Sequence, residues 1–162
     1  MQIKNILVVF SGDKREFSAL DVAGCMANEY QSRVNVSFIT PEVEYETKYM
    51  LGGGPTIAIY EQYYKAVKKE FEEKQEKAKA NFDQHPMASK FDWLHEYGVV
   101  RDLVSFQGKF SDMIIFNRDL EEHDIDFEGV IESAIFETGK PVLIVPENSE
   151  VKEFKNVVIS WD

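Results

Sequence analysis

The sequence predicts a doubly wound α/β domain: a five-stranded parallel sheet, strand order 3-2-1-4-5, with helices on both faces. Two observations carry the prediction. Five short apolar runs read as strands, and the first of them is β-branched and apolar on both faces, as a central strand covered on both sides must be. Between them lie longer stretches whose apolar residues recur at three and four, the helical spacing, so strands and helices alternate. Right-handed crossovers then favour the doubly wound arrangement. A chain of 162 residues accommodates one such domain, placed here at residues 1–146.

The first strand is read at Ile3–Phe10 (I-K-N-I-L-V-V-F), closed by Ser11-Gly12-Asp13. Phe17, Leu20, Gly24 and Ala27 mark a helix from about Glu16 to Tyr30. Arg33–Thr40 is a second strand, stopped by Pro41. Gly52, Gly53, Gly54 and Pro55 precede a long helix whose apolar face is Tyr60, Tyr63, Val67, Phe71, Ala78 and Phe82. A third strand, Phe91–Glu96, leads to a short helix at Val100–Phe106. Asp112–Asn117 is the fourth strand. Phe127, Val130, Ile131, Ala134 and Ile135 define the next helix, ended by Gly139, and Pro141–Val145 is the fifth strand.

Composition narrows the function classes. Eighteen Lys and Arg against twenty-nine Asp and Glu give a net charge of −11. That excess repels phosphate backbones and anionic lipid, which weighs against nucleic acid and membrane surfaces as partners. No apolar run approaches the ~20 residues of a membrane span, and the N-terminal run is unlike a signal peptide. The single cysteine, Cys25, cannot form an internal bridge, which points to a cytoplasmic protein. Set inside a helix beside Met26 and Ala27, Cys25 reads as a small hydrophobe rather than a nucleophile. His95 and Glu96 are adjacent in a strand, so they point to opposite faces and form no dyad. His85 stands before Pro86 in a loop, and His123 sits in an acidic run without EF-hand spacing, so no metal site is assigned. Gly52–Gly54 lacks the Lys-Ser/Thr of a P-loop and reads as a crossover loop. With no nucleophile–base set assembled, the chain is read as a non-enzyme.

The tail carries an internal repeat. Lys155-Asn156-Val157-Val158-Ile159-Ser160-Trp161-Asp162 repeats the pattern of Lys4-Asn5-Ile6-Leu7-Val8-Val9-Phe10-Ser11. Residues 147–162 are therefore read as a linker and an extra strand, with the start of a second copy of the domain as one reading and a sixth strand as the other. Its apolar side chains call for burial, against the fifth strand or another free sheet edge.

The V-V-F-S-G after the first strand, the S-D-M-I-I-F before a loop and the closing T-G-K-P-V-L-I-V-P resemble the universal stress protein superfamily over residues 3–146. The resemblance implies a binding or regulatory role in stress response, pairing of two copies through the last strand, and tandem domains in some members. It also implies an adenine-nucleotide crevice at the strand ends in those members that bind ATP. In them an Asp follows the first strand, and a G-x-x-G-x9-G-[ST] segment follows the fourth. Here Ser11 takes the Asp position and Gly12 keeps the next. Asn117 and Leu120 take the two glycine positions, and no Gly-Ser pair follows.

Asp119, Glu121, Glu122, Asp124, Asp126 and Glu128 place six carboxylates where the phosphates would lie. Like charges ~6 Å apart repel by roughly 3 kcal/mol per pair at an effective dielectric of about 20. Arg118 offsets part of this. The expectation is a module with no cofactor that does not take ATP in the usual mode. The alternative is ATP or AMP in a modified crevice lined by Ser11, Gly12, Ile39, Asn117 and Arg118. The Ser11-Gly12-Asp13-Lys14 loop is also similar to that of ATP pyrophosphatases, but the second Gly and the Asp-Ser of that loop are absent.

Overall fold

The structure is a computed structural model that describes residues 2–42, 57–118, 127–147 and 149, with side chains at all of these except 57–63 and 127. Five strands form one sheet: β1 (Asn5–Val9), β2 (Arg33–Pro41), β3 (Asp92–Gly98), β4 (Met113–Asn117) and β5 (Val142–Val145). Their order is β3-β2-β1-β4-β5 and all neighbours are parallel. This is the predicted fold class and order. Four helices connect them: α1 (Phe17–Tyr30), α2 (Ile57–Asp83), α3 (Val100–Lys109) and α4 (Phe127–Thr138). α1 begins after a short 3-10 turn at Lys14–Glu16, and α3 runs three residues past the predicted Phe106. Among the described residues no helix is long and apolar enough to cross a membrane.

Strand alternation divides the core between the two faces. On one face Ile6, Val8, Phe10, Val34 and Val36 pack with Leu20 and Ala23 of α1 and Phe82 of α2. On the other Leu7, Ile39, Ile114 and Phe116 pack with Val104 of α3 and Val130 and Ala134 of α4. Trp93 of β3 joins the first face: it stacks on Phe38 (5.9 Å between centroids) and lies 4.9 Å from Phe82. Of the predicted apolar face of α2, Ala78 and Phe82 are buried, Val67 and Phe71 are half-buried, and the remainder lies outside the described side chains. Gly108 lets α3 approach closely: a Cβ there would lie 2.6 Å from Ile114 Cδ1 and 2.9 Å from Thr138 Cγ2.

Asp112, just before β4, ties the start of the sheet together. Its Oδ2 accepts the backbone N–H groups of Lys4 at 2.8 Å and Asn5 at 2.9 Å. The Asn5 and Lys4 amides hold its carboxyl below the usual carboxylate range. A depressed folded-state pKa contributes stability above the unfolded value, and that contribution is lost as pH falls through the folded one. The melting temperature of Asp112→Ala should therefore lie below that of the parent at pH 6. The gap should close as the pH is taken below about 4, the ordinary Asp range. A gap independent of pH would show that the charge plays no part.

Candidate functional site

The strand order reverses direction between β1 and β4, and in open α/β sheets ligands bind beyond the C-terminal ends of the strands at such a switch point. Phe10 extends the pairing of β1 by donating its N–H to Ser37 O at 2.9 Å, and Arg118 extends β4 by donating to Val145 O at 2.8 Å. The chain then leaves β1 through Ser11 and Gly12.

Gly12 has φ +101°, a left-handed conformation that glycine accepts without steric cost. A Cβ there would stand 2.6 Å from Ala78 Cβ, so α2 lies directly on this loop. Asn81 of α2 secures the contact by donating Nδ2–H to Gly12 O at 2.8 Å.

The side chain that fills the mouth of the loop is Glu16, only 5% exposed. Its Oε2 accepts the Ser11 N–H at 2.7 Å, and its Oε1 accepts the Ser11 hydroxyl. In the sequence Glu16 stands only at the start of a helix. The turn at Lys14–Glu16, capped by Asp13, is what swings it back over Ser11. Asp13 accepts the Arg15 N–H at 2.9 Å, and the Arg15 side chain holds its carboxyl below the usual range. The Arg15 guanidinium spans Asp13 at 3.1 Å and Glu147 at 3.9 Å, so this cation at the crevice is already matched by carboxylates.

The other predicted residues divide. Asn117 is buried, its Nδ2 lies 3.5 Å from Arg15 O, and its Oδ1 has no hydrogen-bond partner among the described residues. Ser11, Gly12 and Asn117 are thus brought to one end of the sheet. Ile39 is not a free wall: it is 7% exposed and packed into the core on the α3–α4 face. The Arg118 side chain is exposed. Residues 119–126, which hold most of the acidic run and His123, and Gly52–Gly54 lie outside the described residues.

The described histidines are structurally occupied. His95 Nε2 lies 2.9 Å from the Thr40 hydroxyl, and burial pushes its pKa down. Glu96 points to the opposite face, where it accepts from Gln107 of α3 at 3.0 Å. His85 is buried against Phe17, with Nε2 3.1 Å from Asp21 Oδ1. Among the described residues no group of three or more His, Cys, Asp or Glu could hold a metal ion.

Similarity to solved structures matches this architecture. The hypothetical protein MJ0577, reported as a test case for assigning biochemical function from structure, superposes with a TM-score of 0.61 at 16% identity, over 93% of this chain and 100% of its own. A universal stress protein, UspA of Lactobacillus plantarum, gives 0.54 at 12% identity, over 90% of this chain and 99% of its own. The chain has the universal stress protein fold. A putative universal stress protein from Pseudomonas aeruginosa gives 0.55 at 11% identity, and there the match covers 91% of this chain but 49% of the longer one. No family model matches the chain, and no curated protein matches it in sequence.

Two substitutions test the loop. Gly12→Ala combines a disfavoured φ with overlap onto α2 and should cost roughly 2–4 kcal/mol in urea unfolding. Glu16→Ala leaves the Ser11 N–H without its acceptor and should cost about 1–3 kcal/mol. Glu16→Gln, which retains an acceptor oxygen, should recover part of that loss. Equal stability of the parent and Glu16→Ala would remove Glu16 from this role.

Proposed function

We propose that this domain is a universal-stress-type binding and regulatory module in the cytoplasm, without catalytic activity, that does not take ATP in the usual mode of that superfamily. The observation that carries the reading is the Glu16 carboxylate on Ser11. Phosphate recognition at such a loop needs free N–H donors and positive potential. Here the Ser11 donors serve an internal anion, and Arg15 is matched by Asp13 and Glu147. An incoming triphosphate would have to displace one carboxylate and lie beside others.

The second reading is favoured by Asn117. Its buried Oδ1, without a partner among the described residues, suits a donor such as an adenine amino group or a ribose hydroxyl. ATP or AMP would then enter base-first, among Ser11, Gly12, Asn117 and Arg118, with its phosphates turned outward and Ile39 lying beneath in the core.

Two assembly features belong to the proposal. β5 pairs with β4 on one side, and Ile144 is 43% exposed, which supports pairing of two copies through this edge. The repeat at Lys155–Asp162, together with the longer neighbour of which this domain spans 49%, supports a tandem protein whose second copy begins near Asn156. Asp162 would stand there where Ser11 stands here, so any usual-mode nucleotide site would belong to that copy. A native reading frame that stops at Asp162 would refute the tandem arrangement.

The two readings separate on a nucleotide panel. ATP with magnesium should bind no tighter than about 1 mM, and at that concentration should raise the melting temperature by no more than about 1–2 °C. A shift with AMP and adenosine, absent with inorganic triphosphate and lost in Asn117→Ala, would replace the first reading by the second. A micromolar constant for ATP in calorimetry would overturn the first reading outright.

A further inference from the structure

At the switch point between β1 and β4 one buried oxygen lacks a counterpart. Asn117 is 4% exposed, and its Oδ1 has no hydrogen-bond partner among the described residues. Strand alternation fixes the direction of that side chain. Ile115 lies in the core on the α1 face and Phe116 in the core on the α3–α4 face, so Asn117 returns to the α1 side. Phe116 is opposite Val9, which sets Asn117 level with Phe10, the residue before Ser11. There its Nδ2 group faces Arg15 O at 3.5 Å. Turning the amide over would set two acceptors against each other, so the atom left over is an acceptor. A buried amide oxygen without a donor is destabilising, and native structures rarely leave one so.

The neighbouring side chains share this bias. Ser11 gives both its N–H and its hydroxyl hydrogen to the buried Glu16 carboxylate, so its Oγ keeps only lone pairs to offer. Arg15 donates its N–H to Asp13, and its guanidinium lies between Asp13 and Glu147. Lys14 Nζ donates to Gln84 Oε1, and Asn81 Nδ2 donates to Gly12 O. The Arg118 side chain stands out in solvent. These loop donors are thus engaged within the chain, while Asn117 Oδ1 and Ser11 Oγ remain as acceptors. A ligand complementary to them must bring hydrogens. An anion has the wrong sign, and a carbonyl oxygen brings lone pairs to lone pairs.

We propose that the ligand taken at this end of the sheet presents an N–H donor, the amino group of a nucleobase or an ammonium group, and that Asn117 Oδ1 selects it. The inference rests on the binding reading proposed above and deepens it by naming the chemistry of the ligand. The net charge of −11 favours the approach of a cation and leaves a neutral nucleoside unaffected. Selection follows from burial. A site built to accept from an amino group rejects the analogue lacking it, by about tenfold or more, because its oxygen is then left unpaired.

The test uses the 162-residue chain and two pairs of small ligands that differ in the donor. Adenosine is set against purine riboside, which has hydrogen in place of the 6-amino group. Ammonium is set against potassium, an ion of equal charge and similar radius without hydrogens. Affinities are taken from the rise in melting temperature with ligand concentration, which any ligand of the native state must cause. In one pair the donor-bearing member should bind about tenfold tighter or more, and that pair identifies the source of the amino group. Asn117→Ala should abolish the preference, and Asn117→Asp, which retains an oxygen there, should preserve it. Equal binding within both pairs, the result expected where water alone serves the oxygen, would overturn the proposal. So would a failure of all four to bind, or a preference that survives Asn117→Ala. The comparison in the parent chain decides the matter even where a variant fails to fold. None of the four carries a phosphate, so the outcome is separate from the ATP measurement that decides the earlier reading.

Discussion

A carboxylate sits almost out of water at the end of the central strand, and the surrounding chain is arranged around that burden. An ionised group can be buried only where donors replace its hydration. Glu16 obtains them from the main-chain N–H and the hydroxyl of Ser11. The loop can turn to offer them because Gly12 adopts a left-handed φ. Its lack of a Cβ in turn admits Ala78 and lets Asn81 bind the Gly12 carbonyl. α2 is thereby fixed over the first strand, which brings Phe82 onto Phe10 and Trp93. One acid, one glycine and one helix contact are mutually dependent, and they occupy the place where a sheet of this order ordinarily receives a ligand.

The fold was legible in the sequence because its signals are local and redundant. β1 has aliphatic side chains toward both faces, and β4 shares that pattern, so a parallel sheet covered on both sides was the consistent solution. Boundaries moved by a few residues. The first helix is preceded by a 3-10 turn that Asp13 caps, and β2 continues through Pro41.

The site was legible only in part. Ser11, Gly12 and Asn117 could be placed at the strand ends because each directly follows or ends a recognisable apolar run. Ile39 was placed at the right height on β2, but the sheet packs it into the core. Glu16 was missed because nothing in a run of residues says that a helix-starting acid will fold back over five positions. Asp before a short turn was the available signal: a cap that starts a 3-10 turn makes such a reversal feasible. Arg15 was missed for the same reason, since its carboxylate neighbour Glu147 lies far away in sequence.

α2 has a mechanical consequence of its own. Its 27 residues span about 40 Å at 1.5 Å per residue. The longest strand, nine residues, covers about 30 Å at 3.3 Å per residue. The sheet therefore cannot shelter the whole rod. Ala78 and Phe82 anchor one end, while the stretch from Tyr64 to Lys77 is mostly solvated and braced by exposed pairs such as Lys69–Glu73 and Lys74–Glu70. Such pairs contribute only tenths of a kcal/mol each. Resistance to local opening thus declines along the rod from Phe82 toward Tyr64, and the end of α2 that contacts Gly12 is its most firmly held part.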